Sequence, residues 1–187
     1  MDAYIEIHVL PDPEFPGNLL MNALFAKLHR ALVAHGQGDV GLSFPEGDQP
    51  GKGLGTRLRL HGTATALESL MSQDWLRGMR DHTRVLPLAS VPAGAQYRAV
   101  RRVQADASPE RERRRLMRRQ GLDEAQALAR IPDRPVELLK LPYVSLHSQS
   151  TGQQFRLFIE HLSLQSTPVA GQFGSYGLST TATIPWF

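Results

Sequence analysis

Between Arg111 and Arg119 the chain carries six arginines and no lysine, set in Ser108-Pro109-Glu110-Arg111-Glu112-Arg113-Arg114-Arg115-Leu116-Met117-Arg118-Arg119-Gln120-Gly121. A guanidinium presents a planar fork of donors that fits phosphate oxygens, so this concentration points to nucleic acid. The competing reading is a solvated charged face, but such faces usually mix Lys, Glu and Gln. Arg102 and Gln104 lie two apart, which on a strand turns both side chains the same way. Arginine can bond the O6/N7 edge of guanine and glutamine the N6/N7 edge of adenine. Ordinary exposed polar residues on an edge strand explain the pair equally well. The run Ser148-Gln149-Ser150-Thr151-Gly152-Gln153-Gln154-Phe155 crowds hydroxyls and amides just before an aromatic ring. Such a segment can donate to phosphate or ribose and stack on a base pair, or it can be an ordinary turn. His29, four residues after Phe25 and three before Leu32, reads locally as a half-buried ring at the edge of an apolar helix stripe.

These residues need elements to hold them. Ser108 is a good N-cap, Pro109 suits the first helical position and Gly121 can close the helix in a left-handed conformation. On that helix Arg111, Arg115 and Arg118 align, Arg114 and Arg119 flank them, and only Leu116 and Met117 are apolar. Asp123 caps a second short helix over 124–130. Upstream, Tyr4–Leu10 alternates as a strand, and a helix over 18–35 buries Met21, Leu24, Phe25, Leu28, Ala31 and Leu32 and stops at Gly36. Strands follow over 40–44 and 56–61, then a helix over 66–72 capped by Thr63 or Thr65, then a strand within 83–91. This order predicts an α+β chain with an N-terminal ferredoxin-like (RRM-like) βαββαβ domain. Its third strand, Thr56–His61, has no aromatic residue for the base stacking that RRM sheets use. Pro92–Ala95 reads as a hinge. Residues 1–94 are the expected first domain, carrying His29. Residues 95–187 are the expected smaller α+β domain, with a strand over 97–105, the arginine-rich helix and a hairpin over 143–161 that turns at Ser150-Thr151-Gly152.

The 187 residues carry 21 Lys+Arg against 18 Asp+Glu, a net charge of +3, so the basic character is local rather than global. There is no cysteine, which removes disulfides, thiolate metal sites and a cysteine nucleophile. No phosphate loop, HExxH or GxSxG pattern occurs, and no cofactor is expected. No signal pattern or membrane-length apolar run occurs, which predicts a cytoplasmic protein that does not contact membranes.

Several stretches taken together resemble the type I-F CRISPR-associated endoribonucleases that cut precursor CRISPR RNA at its repeat hairpins. They are Pro11-Asp12-Pro13-Glu14-Phe15-Pro16, Leu24-Phe25-Ala26-Lys27-Leu28-His29, Arg102-Val103-Gln104-Ala105, the arginine run, Ser148-Gln149-Ser150-Thr151-Gly152, Gly174-x-Tyr176-Gly177-Leu178-Ser179 and Pro185-Trp186-Phe187. Gln120 and the glycine-poor Thr180-Thr181-Ala182-Thr183 depart from the pattern. The resemblance implies that the arginine helix lies in the major groove of a repeat stem-loop. Arg111, Arg114, Arg115, Arg118 and Arg119 would contact the RNA, with Gln149 among the further contacts. Arg102 and Gln104 would read bases at the foot of the stem, and Phe155 would stack on its terminal pair. It further implies that Ser148 holds the 2′-hydroxyl, His29 handles protons, Tyr176 orients His29 and Ser150 supports the pocket. No metal is implied, and the product would be a 2′,3′-cyclic phosphate. The protein, a monomer when alone, would stay on the mature crRNA with other subunits of the type I-F surveillance complex. The rival readings are a non-catalytic RNA-hairpin-binding subunit and a double-stranded DNA binder.

Overall fold

A computed structural model describes residues 1–49, 51–104, 108–134, 139–148 and 152–187. They form two compact units, Met1–Val103 with Leu141–Phe187, and Gln104–Lys140. The boundary expected after residue 94 falls inside the first unit, because strands from both sides of it share one apolar core.

In the first unit β1 (Ala3–Val9), α1 (Gly17–His35), β2 (Gly41–Ser43), β3 (Arg57–Gly62), α2 (Ala64–Ser72) and β4 (Thr83–Val85) follow one another as the alternation and the caps anticipate. The strands pair antiparallel in the order β2-β3-β1-β4, the ferredoxin-like arrangement, and β5 (Ala89–Ser90) adds to β1. Register sets Ile5 opposite Leu60 and Ile7 opposite Leu58, so one face of the central pair is aliphatic. That face packs with Leu24, Phe25 and Leu28 of α1 and Leu67 and Leu70 of α2, all buried. Thr63 caps α2 by accepting from the Ala66 N–H, and Gly36 ends α1 at φ 68°, donating to the Leu32 carbonyl.

The opposite face of this sheet departs from the simple alternation. Glu6 and Arg59 face each other across β1 and β3, yet both are buried, at 6% exposure each. The Arg59 Nε and Nη2 groups donate to Glu6 Oε2 at 2.8 and 2.6 Å, and Nη1 donates to the Phe187 carbonyl at 3.0 Å. The Phe187 ring lies 4.0 Å from the guanidinium carbon. What carries Phe187 there is β10 (Ile184–Trp186), which pairs with β6 (Gln96–Arg98). The chain therefore covers with its own phenylalanine the sheet surface on which an RRM stacks bases.

The strand expected over 97–105 is broken at Ala99, and Ala105 lies outside the described residues. β6 pairs with β10, whereas β7 (Val100–Val103) pairs with β9 (Gln154–His161), which in turn pairs with β8 (Tyr143–His147). Arg98 is buried: its Nε donates to the Leu162 carbonyl at 2.7 Å and its guanidinium sits over Trp186. Val100, Val144, Leu146, Leu157 and Ile159 from this second sheet join the same core as α1.

In the second unit α3 (Pro109–Gln120) starts at the Ser108 cap and ends at Gly121, φ 64°, and α4 (Glu124–Arg130) starts in a capping box between Asp123 and Gln126. Among the described residues no helix is long and apolar enough to cross a membrane.

Candidate active site

Helix α1 has two working faces. The aliphatic one builds the core, and a second stripe carries Asn22, Ala26, His29 and Val33 at one-turn intervals. Asn22 uses its side-chain oxygen to accept the Ser145 backbone N–H at 3.0 Å, fixing the helix against β8. Beyond Asn22 the stripe opens into a cleft of about 450 Å³ lined by Ala26, His29, Arg30, Val33, Leu146, His147, Ser148, Phe155 and Tyr176. Four residues singled out from the sequence, His29, Ser148, Phe155 and Tyr176, are thus brought together from three separated segments.

The imidazole is held from two sides. His29 Nδ1 lies 2.8 Å from the Ser175 carbonyl oxygen. A carbonyl only accepts, so Nδ1 carries the hydrogen, and in the neutral ring Nε2 keeps its lone pair. The Tyr176 ring stacks on the imidazole with centroids 4.0 Å apart and planes 15° apart, and Phe25 backs Tyr176 at 6.1 Å and 11°. The segment behind them is pinned. The Leu42 N–H donates to the Gly177 carbonyl at 3.0 Å, the Gly177 N–H donates to the Gly174 carbonyl, and the Ser179 N–H donates to the Val100 carbonyl. Gly177 adopts φ 66°, and a Cβ there would stand 2.6 Å from Leu42 Cδ2, so the turn requires glycine.

Ser148 sits where β8 ends. Its N–H donates to the Gln153 carbonyl at 2.9 Å and its carbonyl accepts from the Gly152 N–H at 2.8 Å, which fixes the entry to the hairpin tip. Gln149 and Ser150 lie outside the described residues. Phe155 stands opposite Leu146 in the β8–β9 pair. Arg102, exposed on β7, extends over this region, its guanidinium carbon 5.6 Å from the Tyr176 ring centre and 5.9 Å from that of Phe155. Gln104 is exposed and is the first residue of the second unit.

On the second unit Arg111, Arg114, Arg115, Arg118 and Arg119 are all exposed. The run's remaining arginine, Arg113, differs: it donates to the Ile131 carbonyl at 2.9 Å and pairs with Asp133 at 2.8 Å. Among the described residues this unit's ion pairs are made by Arg113 and Arg134, which leaves the five exposed guanidiniums outside any such pair. Gln120 accepts from Arg130, joining the end of α3 to α4.

Sequence reasoning missed Asn22, Arg30 and the Ser175 carbonyl. Asn22 was detectable as a polar residue on the stripe of His29; a backbone carbonyl has no signature in residue type. Chemically, the cleft offers a fixed imidazole whose Nε2 can accept in the neutral ring, a serine at a strand end and two aromatic faces, and among the described residues no carboxylate lines it.

Residues 4–187 match the family described as CRISPR-associated protein (Cas_Csy4). The chain is 52% identical over 187 residues to the CRISPR-associated endonuclease Cas6/Csy4 of Pseudomonas aeruginosa (strain UCBPP-PA14), with all of both chains covered. It is 48% identical over 188 residues, again covering both chains entirely, to the protein of the same name from Escherichia coli (strain UTI89 / UPEC). Set beside the cleft and the arginine helix, a match of this extent places the chain in the Cas_Csy4 family of CRISPR-associated proteins.

Proposed function

We propose that this protein is an endoribonuclease that cuts precursor CRISPR RNA at the base of its repeat stem-loops without a metal ion. The observation that carries the reading is the meeting of His29, Tyr176, Ser148 and Phe155 in one cleft, in a chain whose relatives are named endonucleases. His29 Nε2 takes the proton of the 2′-hydroxyl upstream of the cut. That oxygen forms a bond to phosphorus as the bond from phosphorus to the 5′-oxygen breaks, and the 5′-oxygen takes a proton from solvent water. The products are a 2′,3′-cyclic phosphate and a 5′-hydroxyl. Ser148 aligns the 2′-hydroxyl, with Ser150 supporting the same pocket, and Tyr176 keeps the imidazole in plane. Positioning of this kind supplies several kcal/mol of a barrier, on the order of 7–11 in favourable cases.

Phe155 stacks on the lowest base pair and sets where the cut falls. Arg102 and Gln104 read base edges there, where an A-form groove opens at the helix end. The exposed arginines of α3 grip the stem, with Gln149 adding a contact at the hairpin tip. The protein works as a monomer in the cytoplasm and stays on the crRNA, joining other subunits of the type I-F surveillance complex. Purified protein incubated with its repeat hairpin in EDTA tests this reading. We expect one cut, an upstream product resistant to kinase-free phosphatase treatment because its phosphate is cyclic, and full activity without added metal. Activity that appears only on adding a divalent ion would overturn the mechanism. Tight binding with no product at all would favour a non-catalytic hairpin-binding subunit.

A further inference from the structure

Arg30 follows His29 on α1, and with Ala26 four residues before it and Val33 three after, it lines the same cleft. It is exposed, and among the described residues it makes no ion pair or side-chain hydrogen bond. The neighbouring cation is differently employed: Lys27 Nζ donates to the Arg77 carbonyl at 2.7 Å. Among the described residues no acidic side chain lines the cleft to neutralise a guanidinium there. An uncompensated arginine in a cleft that already holds an imidazole is placed for an anion that arrives with the substrate.

We infer that Arg30 is a further catalytic residue, its guanidinium donating to a non-bridging oxygen of the scissile phosphate. The inference rests on the reading that a phosphodiester is cut in this cleft. When the 2′-oxygen bonds to phosphorus and before the 5′-oxygen leaves, the phosphoryl group goes from one negative charge to two, and the new charge lies on the non-bridging oxygens. A guanidinium stays protonated throughout, so Arg30 moves no proton; it strengthens its hydrogen bond as the charge grows. His29 accepts the 2′-hydroxyl proton, and the 5′-oxygen is protonated by solvent as above. Such a donor acts more strongly on the transition state than on bound RNA, which separates it from the arginines of α3.

The test uses full-length wild type, Arg30→Gln, Arg30→Lys and His29→Ala on the repeat hairpin at saturating protein under single-turnover conditions. Affinity is measured on the same hairpin carrying a 2′-deoxy nucleotide upstream of the cut. For Arg30→Gln we expect a cleavage rate lower by about 100-fold with Kd changed less than about threefold, and partial recovery in Arg30→Lys. A phosphorothioate at the scissile phosphate should slow wild type more than Arg30→Gln, a readout that loss of structure would not produce. An unchanged rate in Arg30→Gln, or a loss confined to Kd, overturns the inference while an active wild type and an inactive His29→Ala leave the nuclease reading standing. A wild type that does not cut overturns both.

Discussion

Ser175 serves the candidate site through its backbone: the carbonyl it offers to His29 Nδ1 decides which imidazole nitrogen faces the cleft. Residue type alone could not show this, because the two groups are 146 positions apart and the acceptor belongs to every residue. The same separation explains why His29 reads, within its own helix, as a packing residue. Tyr176 meets His29 through its ring face, since the imidazole hydrogen goes to Ser175 and not to the phenol, and in the proposed reaction that stacking would position the imidazole. Replacing Tyr176 with Phe should therefore leave single-turnover cleavage within about threefold of wild type, whereas Tyr176→Ala should lower it by roughly tenfold or more. Equal losses in the two variants would mean that the hydroxyl matters instead. His29→Ala should bind the hairpin with unchanged Kd and cut it about 100-fold to 10,000-fold more slowly.

Elements with local signatures were legible in the sequence. The apolar stripe and Gly36 define α1, and Ser108, Pro109 and Gly121 bracket α3 at the residues where it starts and stops. What escaped depends on distant chain. β10 has a proline at its centre and no alternation, and its strand character comes from β6, far away in sequence. Arg59 looks solvent-facing because charged residues usually are; only the partner Glu6 and the cover of Phe187 make its burial tolerable. The glycine turn behind Tyr176 is an element with a clear prediction. Gly177→Ala should destabilise the fold by about 1–3 kcal/mol and depress cleavage with it, checked by thermal melting beside the kinetic assay.

β3 also carries a pH dependence. Burial, reinforced by the Arg59 charge, pushes His61 down to about 3, and its Nε2 lies 2.8 Å from the Ser43 hydroxyl. Below its ordinary value of 6.5 the unfolded chain binds this proton and the folded chain does not, so stability falls as pH drops from 6.5 toward about 3. Denaturation at pH 6.5 and pH 5 should differ by about 2 kcal/mol from this group. His61→Gln, which cannot protonate, should lose that part of the slope; an unchanged slope would assign it elsewhere.

At the scale of the molecule, the chain leaves its first unit after Val103 and returns at Leu141, having built in between a helix pair whose exposed α3 arginines form no ion pair among the described residues. Arg113 and Arg115 are close in sequence but differ in surroundings, the first held by Ile131 and Asp133 and the second exposed. Arg115→Ala should weaken every hairpin alike and reduce the slope of log Kd against log salt by about 1. Arg113→Ala should instead loosen α3 from the segment after α4, seen as a loss of helix signal on heating before any change in salt slope.

The central claim is that the RNA supplies its own nucleophile to an imidazole waiting in the cleft. The measurement that meets it most directly is cleavage of a repeat hairpin carrying a single 2′-deoxy nucleotide immediately upstream of the cut. Binding at wild-type affinity with no product is the predicted result. Product released at the normal position and rate would contradict it.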